Sequence, residues 1–299
     1  MLQRKLQHLA STVAVSTVVV AWLMVAGTKP VLAEFEIQEA EIEKGEIEIE
    51  YRGAYHWGIP KSTEGAEDEF VAGEVNNTVQ SHELEMQMGI TNWWMISAVV
   101  GFDQPLGEDL QASSVEVETQ FGLIRREGNG VGLAFQMQYE QAINHGAQED
   151  GDPNEFAVGP IVELARGPLL LTFNPLFGKQ IGKFADQEGL GFEYGWRGEY
   201  AVNKRWGLAV EMFGEIEDLA NAGSFNDQIH SLGPTLLINF GEEDDEAGGD
   251  EAKASANGVE AKGKLIGPQM AFSMNVGLQF GLTDATSDTA LKFQGTLQF

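Results

Sequence analysis

Past residue 45 the chain alternates apolar and polar residues with period two, in runs of about ten separated by turn residues, the signature of half-buried strands and not of helices. In "EIEIEYRGAYHWG", Ile47, Ile49, Tyr51, Tyr55 and Trp57 share one face. In "HELEMQMGI", Leu84, Met86, Met88 and Ile90 do the same, and "TN" turns the chain into "WWMISAVVGF". "SVEVETQFGLI" and "VGLAFQMQYE" repeat the pattern, followed by "FAVGPIVEL", "LLLTFNPLFG", "LGFEYGWRGEY", "WGLAVEMFG", "SLGPTLLINF" and "AFSMNVGLQFGL". The chain ends in "DTALKFQGTLQF", where Leu291, Phe293, Gly295, Leu297 and Phe299 oppose Lys292, Gln294, Thr296 and Gln298. Pro160 and Pro175 each remove a ladder donor, which makes the sixth and seventh segments the least regular.

These segments predict twelve strands, an even number, as closure of an antiparallel up-and-down barrel requires. Tight links ("TN", "REGNG", "RGP", "NK") interleave with longer polar ones ("DQPLGEDLQAS", "INHGAQEDGDPNE", "KFADQEG", "EIEDLANAGSFNDQ"). Outer-membrane barrels have short periplasmic turns and long outward loops, so the tight set is expected in the periplasm. The acidic, apolar-poor stretch 241–268 falls on the tight-turn side by parity and reads as a disordered insertion.

Large aromatics gather toward strand ends: Tyr51, Tyr55 and Trp57, then Trp93 and Trp94, then Tyr194, Trp196 and Tyr200, then Trp206. This fits girdles at a lipid interface. The opposite faces carry Glu, Gln, Arg and Gly in strand after strand. A soluble sandwich would show that face to bulk water, whereas a membrane barrel turns it inward; both architectures fit the alternation alone. In the barrel the terminal strand pairs with its predecessor and with the first strand, which leaves no exposed edge.

The chain begins with Arg4 and Lys5, an apolar stretch, and "VLA" ending at Ala33, the three parts of a secretory signal peptide over residues 1–33. The stretch is also long enough for an uncleaved anchor. Residues 34–45 are expected to be a periplasmic lead-in and 46–299 the barrel. With 46 acidic against 18 basic residues and a net charge of -28, the chain is a poor partner for nucleic acid. It has no cysteine, hence no disulfide framework, thiol nucleophile or Cys-ligated metal.

The terminal aromatic with alternating apolar residues before it (Phe293, Leu297, Phe299) resembles the C-terminal signal read by the outer-membrane barrel assembly machinery of Gram-negative bacteria. More narrowly, "FGLTDATSDTALKFQGTLQF" with the "GP" pairs at Pro160 and Pro234 resembles the outer-membrane transporters grouped under the meta-pathway of phenol degradation. That resemblance implies transport of small hydrophobic or aromatic solutes across a membrane of lipid and lipopolysaccharide, and it brings no binding motif or cofactor. The acidic insertion stands where the family pattern leads one to expect a compact turn.

Alternation assigns Glu48, Glu50, Glu83, Glu85, Glu116, Glu118, Glu140, Glu163, Glu193, Glu199 and Glu211 to the lumen, against Arg52, Arg197 and Lys292. A wet lumen so lined attracts cations, as rings of Glu do in cation channels. The same residues could instead plug the bore by hydrogen bonding. Two functions therefore stand: passive passage of small solutes favouring cations, or a closed structural or sensory barrel whose loops or acidic insertion bind a partner or metal cations.

Catalysis has little support. His230 adjoins Ser231, but strand neighbours point to opposite faces; His56 and His82 could meet at the outer end of the first hairpin, with no serine beside them. In "EDGDPNE", Asp150, Asp152 and Asn154 suggest a calcium loop, but Glu155 stands where an EF-hand needs Gly, so a solvated tip is the simpler reading.

Overall fold

The computed structural model describes residues 35–59, 78–143, 152–185, 189–240 and 271–299. The signal peptide, the 241–268 insertion and Asp150 lie outside them. The described strands are β1 (Ile47–Trp57), β2 (Thr78–Thr91), β3 (Trp94–Pro105), β4 (Gln111–Ile124), β5 (Gly130–Ala142), β6 (Asn154–Arg166), β7 (Leu169–Ile181), β8 (Gly191–Ala201), β9 (Trp206–Ile216), β10 (Ile229–Phe240), β11 (Ala271–Gly281) and β12 (Thr289–Gln298). Each pairs antiparallel with its sequence neighbours, and β12 closes onto β1, from Glu48↔Gln298 to Trp57↔Thr289. The barrel is closed, and the amphipathic last strand has a partner on both sides.

Alternation decides which way each side chain points. Leu84, Val117 and Leu208 are 50%, 56% and 55% exposed, while their strand neighbours Glu83, Glu85, Glu116, Glu118 and Gly207 turn inward and are buried. The outer face is therefore apolar and the inner face polar. In water such a surface would be an aggregation hazard; in a bilayer it is the face that needs no hydrogen bonds. Strands of 10 to 14 residues are long enough to cross an outer membrane at the usual tilt. The protein is built for the bacterial outer membrane.

Links at one end are short: 92–93, 125–129, 167–168 and 202–205. Gly128 and Gly167 supply the left-handed conformation two of them need, at φ 57° and 60°. At the other end β3 and β4 run further than the alternation suggests, shrinking their loop to 106–110. Phe240 and Ala271, which flank the undescribed 241–270, both lie at the short-turn end, with Arg205 stacked against Phe240.

The two "GP" pairs share one local geometry. The β6–β7 pairing is interrupted, with its register kept, between Val158↔Phe177 and Val162↔Phe173, around Pro160 and Pro175. The β10–β11 pairing is likewise interrupted between Leu232↔Phe280 and Thr235↔Gly277, around Pro234. At each break the glycine admits a carbonyl of the adjoining strand: a Cβ on Gly159 would stand 1.8 Å from Pro175 O, and one on Gly233 1.7 Å from Leu278 O. Proline lacks the donor, and glycine gives room for the close approach of the adjoining backbone.

Two outward histidines repeat a second device. His82 and His230 share hydrogen bonds of 2.9 and 3.0 Å through Nδ1 with the hydroxyls of Tyr51 and Tyr194. Through Nε2 they meet Gln80 and Gln228, two residues earlier, at 3.1 and 2.9 Å. Each imidazole lies over a glycine of the adjoining strand, Gly53 or Gly214, where a Cβ would come within 2.7 or 2.3 Å of Nδ1. Polar rings near the loop end of the outer face are thus supplied with partners, as a lipid interface requires.

Candidate functional site: the barrel lumen

The largest departure from the sequence reading is the position of residues 35–45. Read from sequence as a periplasmic lead-in, the segment instead runs extended inside the barrel. Gly45 donates to Gly89 O at 2.7 Å beside the β2–β3 turn, and Phe35 stacks on His56 at the loop end of β1. The wall reads its backbone as a sheet neighbour would. Asn174 accepts from Gln38 N at 2.8 Å and donates to Gln38 O at 3.0 Å; Glu163 accepts from Ala40 N at 2.9 Å; Gln120 and Lys292 donate to Glu39 O and Phe35 O at 2.8 and 3.1 Å. Ala40 packs with Ala134 and Ile161 in a small apolar core. Two wall glycines make room: a Cβ on Gly89 would meet Glu43 O at 1.9 Å, and one on Gly195 would meet Glu36 O at 2.9 Å. Such tailoring marks a built-in occupant, since either site with a side chain would push the segment out.

Alternation places the carboxylates as follows. Glu83, Glu85, Glu116, Glu118, Glu140, Glu163, Glu199 and Glu211 are buried on the inner face, and Glu48, Glu50 and Glu193 are half-buried. Arg52, Arg197 and Lys292 are buried among them. Arg52 contacts Glu36, Glu50 and Glu85 at 2.8, 3.0 and 2.7 Å and also pairs with Glu83. Glu211 accepts from Arg197 at 2.7 Å, Lys292 at 2.6 Å and Thr235 at 2.6 Å. Glu118 accepts from Ser97 and Gln138 at 2.9 and 3.0 Å, and Gln38 reaches it from the segment. Near the short-turn mouth amides also hold carboxylates: Gln298 donates to Glu46 and Glu48, Gln87 to Glu48, and Gln294 to Glu50. A cavity of about 120 Å³ opens there, lined by Glu36, Glu39, Glu48, Glu50, Glu85 and Asn275 among others.

Sequence reasoning missed four contributors. Glu36 and Glu39 belong to the inserted segment, and nothing in a short alternating run tells wall from occupant. Arg126 leaves the β4–β5 turn to pair with Glu163 at 2.9 Å, and a turn residue carries no facing signal. Glu155, left in a loop by the sequence reading, is buried on the second residue of β6.

The histidines divide as strand geometry dictates. His56 turns inward and His82 outward, so the two do not meet. The structure brings His56 to Ser287, with Nδ1 and Oγ 2.8 Å apart, a pairing across 231 residues that no local pattern could announce. Asn154, of the loop where the sequence favours a solvated tip over a calcium site, is engaged with Ala142 N at 3.2 Å and the Tyr139 hydroxyl at 3.3 Å. Phe293 and Leu297 lie on the outer face of β12, Phe299 follows its last residue and is exposed, and Phe293 packs against Tyr51, Tyr55 and His82.

No protein-family model matches the chain, and no curated protein does. Among solved structures, an outer-membrane channel from Pseudomonas putida F1 is similar at a TM-score of 0.54 with 9% identity, over 91% of this chain and 100% of that one. The KdgM porin, solved in complex with disordered oligogalacturonate, is similar at 0.45 with 9% identity, over 84% and 98%. The Acinetobacter baumannii outer membrane protein Omp33 is similar at 0.38 with 10% identity, over 88% and 99%. At these identities the likeness is one of fold.

Proposed function

We propose that this protein is an outer-membrane channel for passive passage of small solutes, with an acidic lumen that favours cations. The observation that carries the reading is the excess of inward carboxylates over inward cations, with an acid-lined cavity at the short-turn mouth. Unpaired carboxylates in a confined polar bore raise the local concentration of cations and exclude anions. The fold shared with the Pseudomonas putida channel is consistent with it. The resemblance to phenol-pathway transporters supports hydrophobic or aromatic solutes as cargo, an analogy of family alone. Phe293, Leu297 and Phe299 are proposed as the signal read by the barrel assembly machinery.

The test is conductance of the purified full chain in a planar bilayer under a KCl gradient. A reversal potential displaced toward that of K⁺ supports the reading, and silence of a heat-modifiable, folded sample overturns it. The second reading, a closed barrel, draws support from residues 35–45 in the bore. It expects that same silence, and no gain of current when the segment is deleted.

A further inference from the structure

Resting on the cation-favouring reading, we infer that one wall of the lumen is a binding track for linear organic polyamines. The register of the strands sets Glu50 opposite Glu85, Glu85 opposite Val99, Val99 opposite Glu116, Glu116 opposite Glu140 and Glu140 opposite Glu155. Strands of a closed barrel are tilted, so a line of register partners climbs as it crosses them. Glu50 lies near the short-turn end of β1, and Glu155 one residue from the loop end of β6. The carboxylates therefore form a staircase from one mouth toward the other, interrupted once by Val99.

Three further observations point to a ligand. Glu85, Glu116, Glu140 and Glu155 are 4%, 6%, 4% and 8% exposed, and the Oε1 atoms of Glu85 and Glu140 accept no hydrogen bond. Among the described residues no Lys or Arg forms an ion pair with Glu116, Glu140 or Glu155. The lower steps, Glu50 and Glu85, line the cavity at the short-turn mouth, where Asn275 Oδ1 is a further acceptor with no donor. These acceptors ask for donors that carry charge.

The arrangement selects among cations. A divalent metal ion needs oxygen ligands converging on one point. Among the described residues such convergence occurs only at Glu36, Glu50 and Glu85, whose oxygens lie within 4.8 Å of one another, and the Arg52 guanidinium already contacts all three. Along the rest of the staircase the carboxylates stand in a row, at the separation of about 4.5–5.5 Å between Cα atoms of facing strand residues. A row is matched by ammonium groups strung on short methylene spacers, each giving N–H donors to a carboxylate while the spacers pass Val99.

The experiment is calorimetric titration of spermidine into the detergent-solubilised full chain, with Mg²⁺ as the comparison, alongside the K⁺ current with spermidine added on the loop side. Spermidine is expected to bind at roughly a tenfold lower concentration than Mg²⁺ and to reduce the current. Glu116→Gln with Glu140→Gln, checked as folded by heat-modifiability, is expected to lose that preference, and Glu116→Asp to keep it. Equal affinities for Mg²⁺ and spermidine, unchanged binding in the double variant, or no binding at all would each overturn the proposal. Calorimetry keeps it separate from the channel reading. A silent bilayer with spermidine bound removes the channel alone, and a cation-selective current indifferent to spermidine removes the track alone.

Discussion

Two clusters on the lumen wall treat the same residue type in opposite ways. On β8, β9, β10 and β12, Glu211 is enclosed by Arg197, Lys292 and Thr235, at 2.6 to 2.7 Å. On β4, β5 and β6, Glu116, Glu140 and Glu155 are as deeply buried but face one another. A buried carboxylate with matched cations is a strut, whose removal strands the charges around it. One without them is a standing electrostatic demand, which a passing or resident cation meets. Under the proposed channel function, structure and passage draw on one side-chain chemistry, divided between the two clusters.

The sharpest way to break the comparison is at the strut. Glu211→Ala leaves Arg197 and Lys292 buried without their carboxylate and should cost about 3–5 kcal/mol, read as a lower urea midpoint in the heat-modifiability assay. Glu116→Gln in the other cluster should leave that midpoint unchanged or raise it, while lowering the K⁺ over Cl⁻ preference. Equal losses of stability at the two sites would end the distinction.

The inserted segment gives the next effect. Asn174→Ala removes both hydrogen bonds that clamp Gln38 and should loosen residues 35–45 by about 1–3 kcal/mol. Gly89→Val, whose Cβ must displace Glu43 O, should act in the same direction. Both are checked by protease cleavage within 35–45 and by a rise in current. The smallest effect lies outside the membrane, at the 225–227 turn, where hydrogen bonds from Ser224 hold the Asp227 carboxyl below its usual range. A depressed carboxyl stabilises above its unfolded value of about 3.9 and loses that contribution as pH falls through its folded value. Amide exchange at Ser224 should therefore quicken only in acid below about pH 4.

Alternation made much of this legible. Twelve strands and the facing of Glu85, Glu116 and Glu211 follow from period two, because a closed barrel has one wet face and one greasy one. The same rule was blind where a residue leaves the sheet. Residues 35–45 carry apolar side chains at Phe35, Ile37 and Ile42, a pattern that fits an extended segment packed inside a barrel as well as one trailing below it. Arg126 enters the lumen from a turn, and Ser287 meets His56 only through closure of β12 on β1. Strand register, which sets Glu50, Glu85, Glu116, Glu140 and Glu155 on one rising line, depends on tilt and on bulges such as the shift between Gly101 and Phe102. No single strand contains that information.

Because Phe35 sits toward the loop mouth and Gly45 toward the short-turn mouth of a closed ring of strands, residues 35–45 thread the barrel from one mouth toward the other. Seating of that segment and closure of the ring are therefore coupled steps, and loop positions are the places where a handle can be attached without competing for the bore.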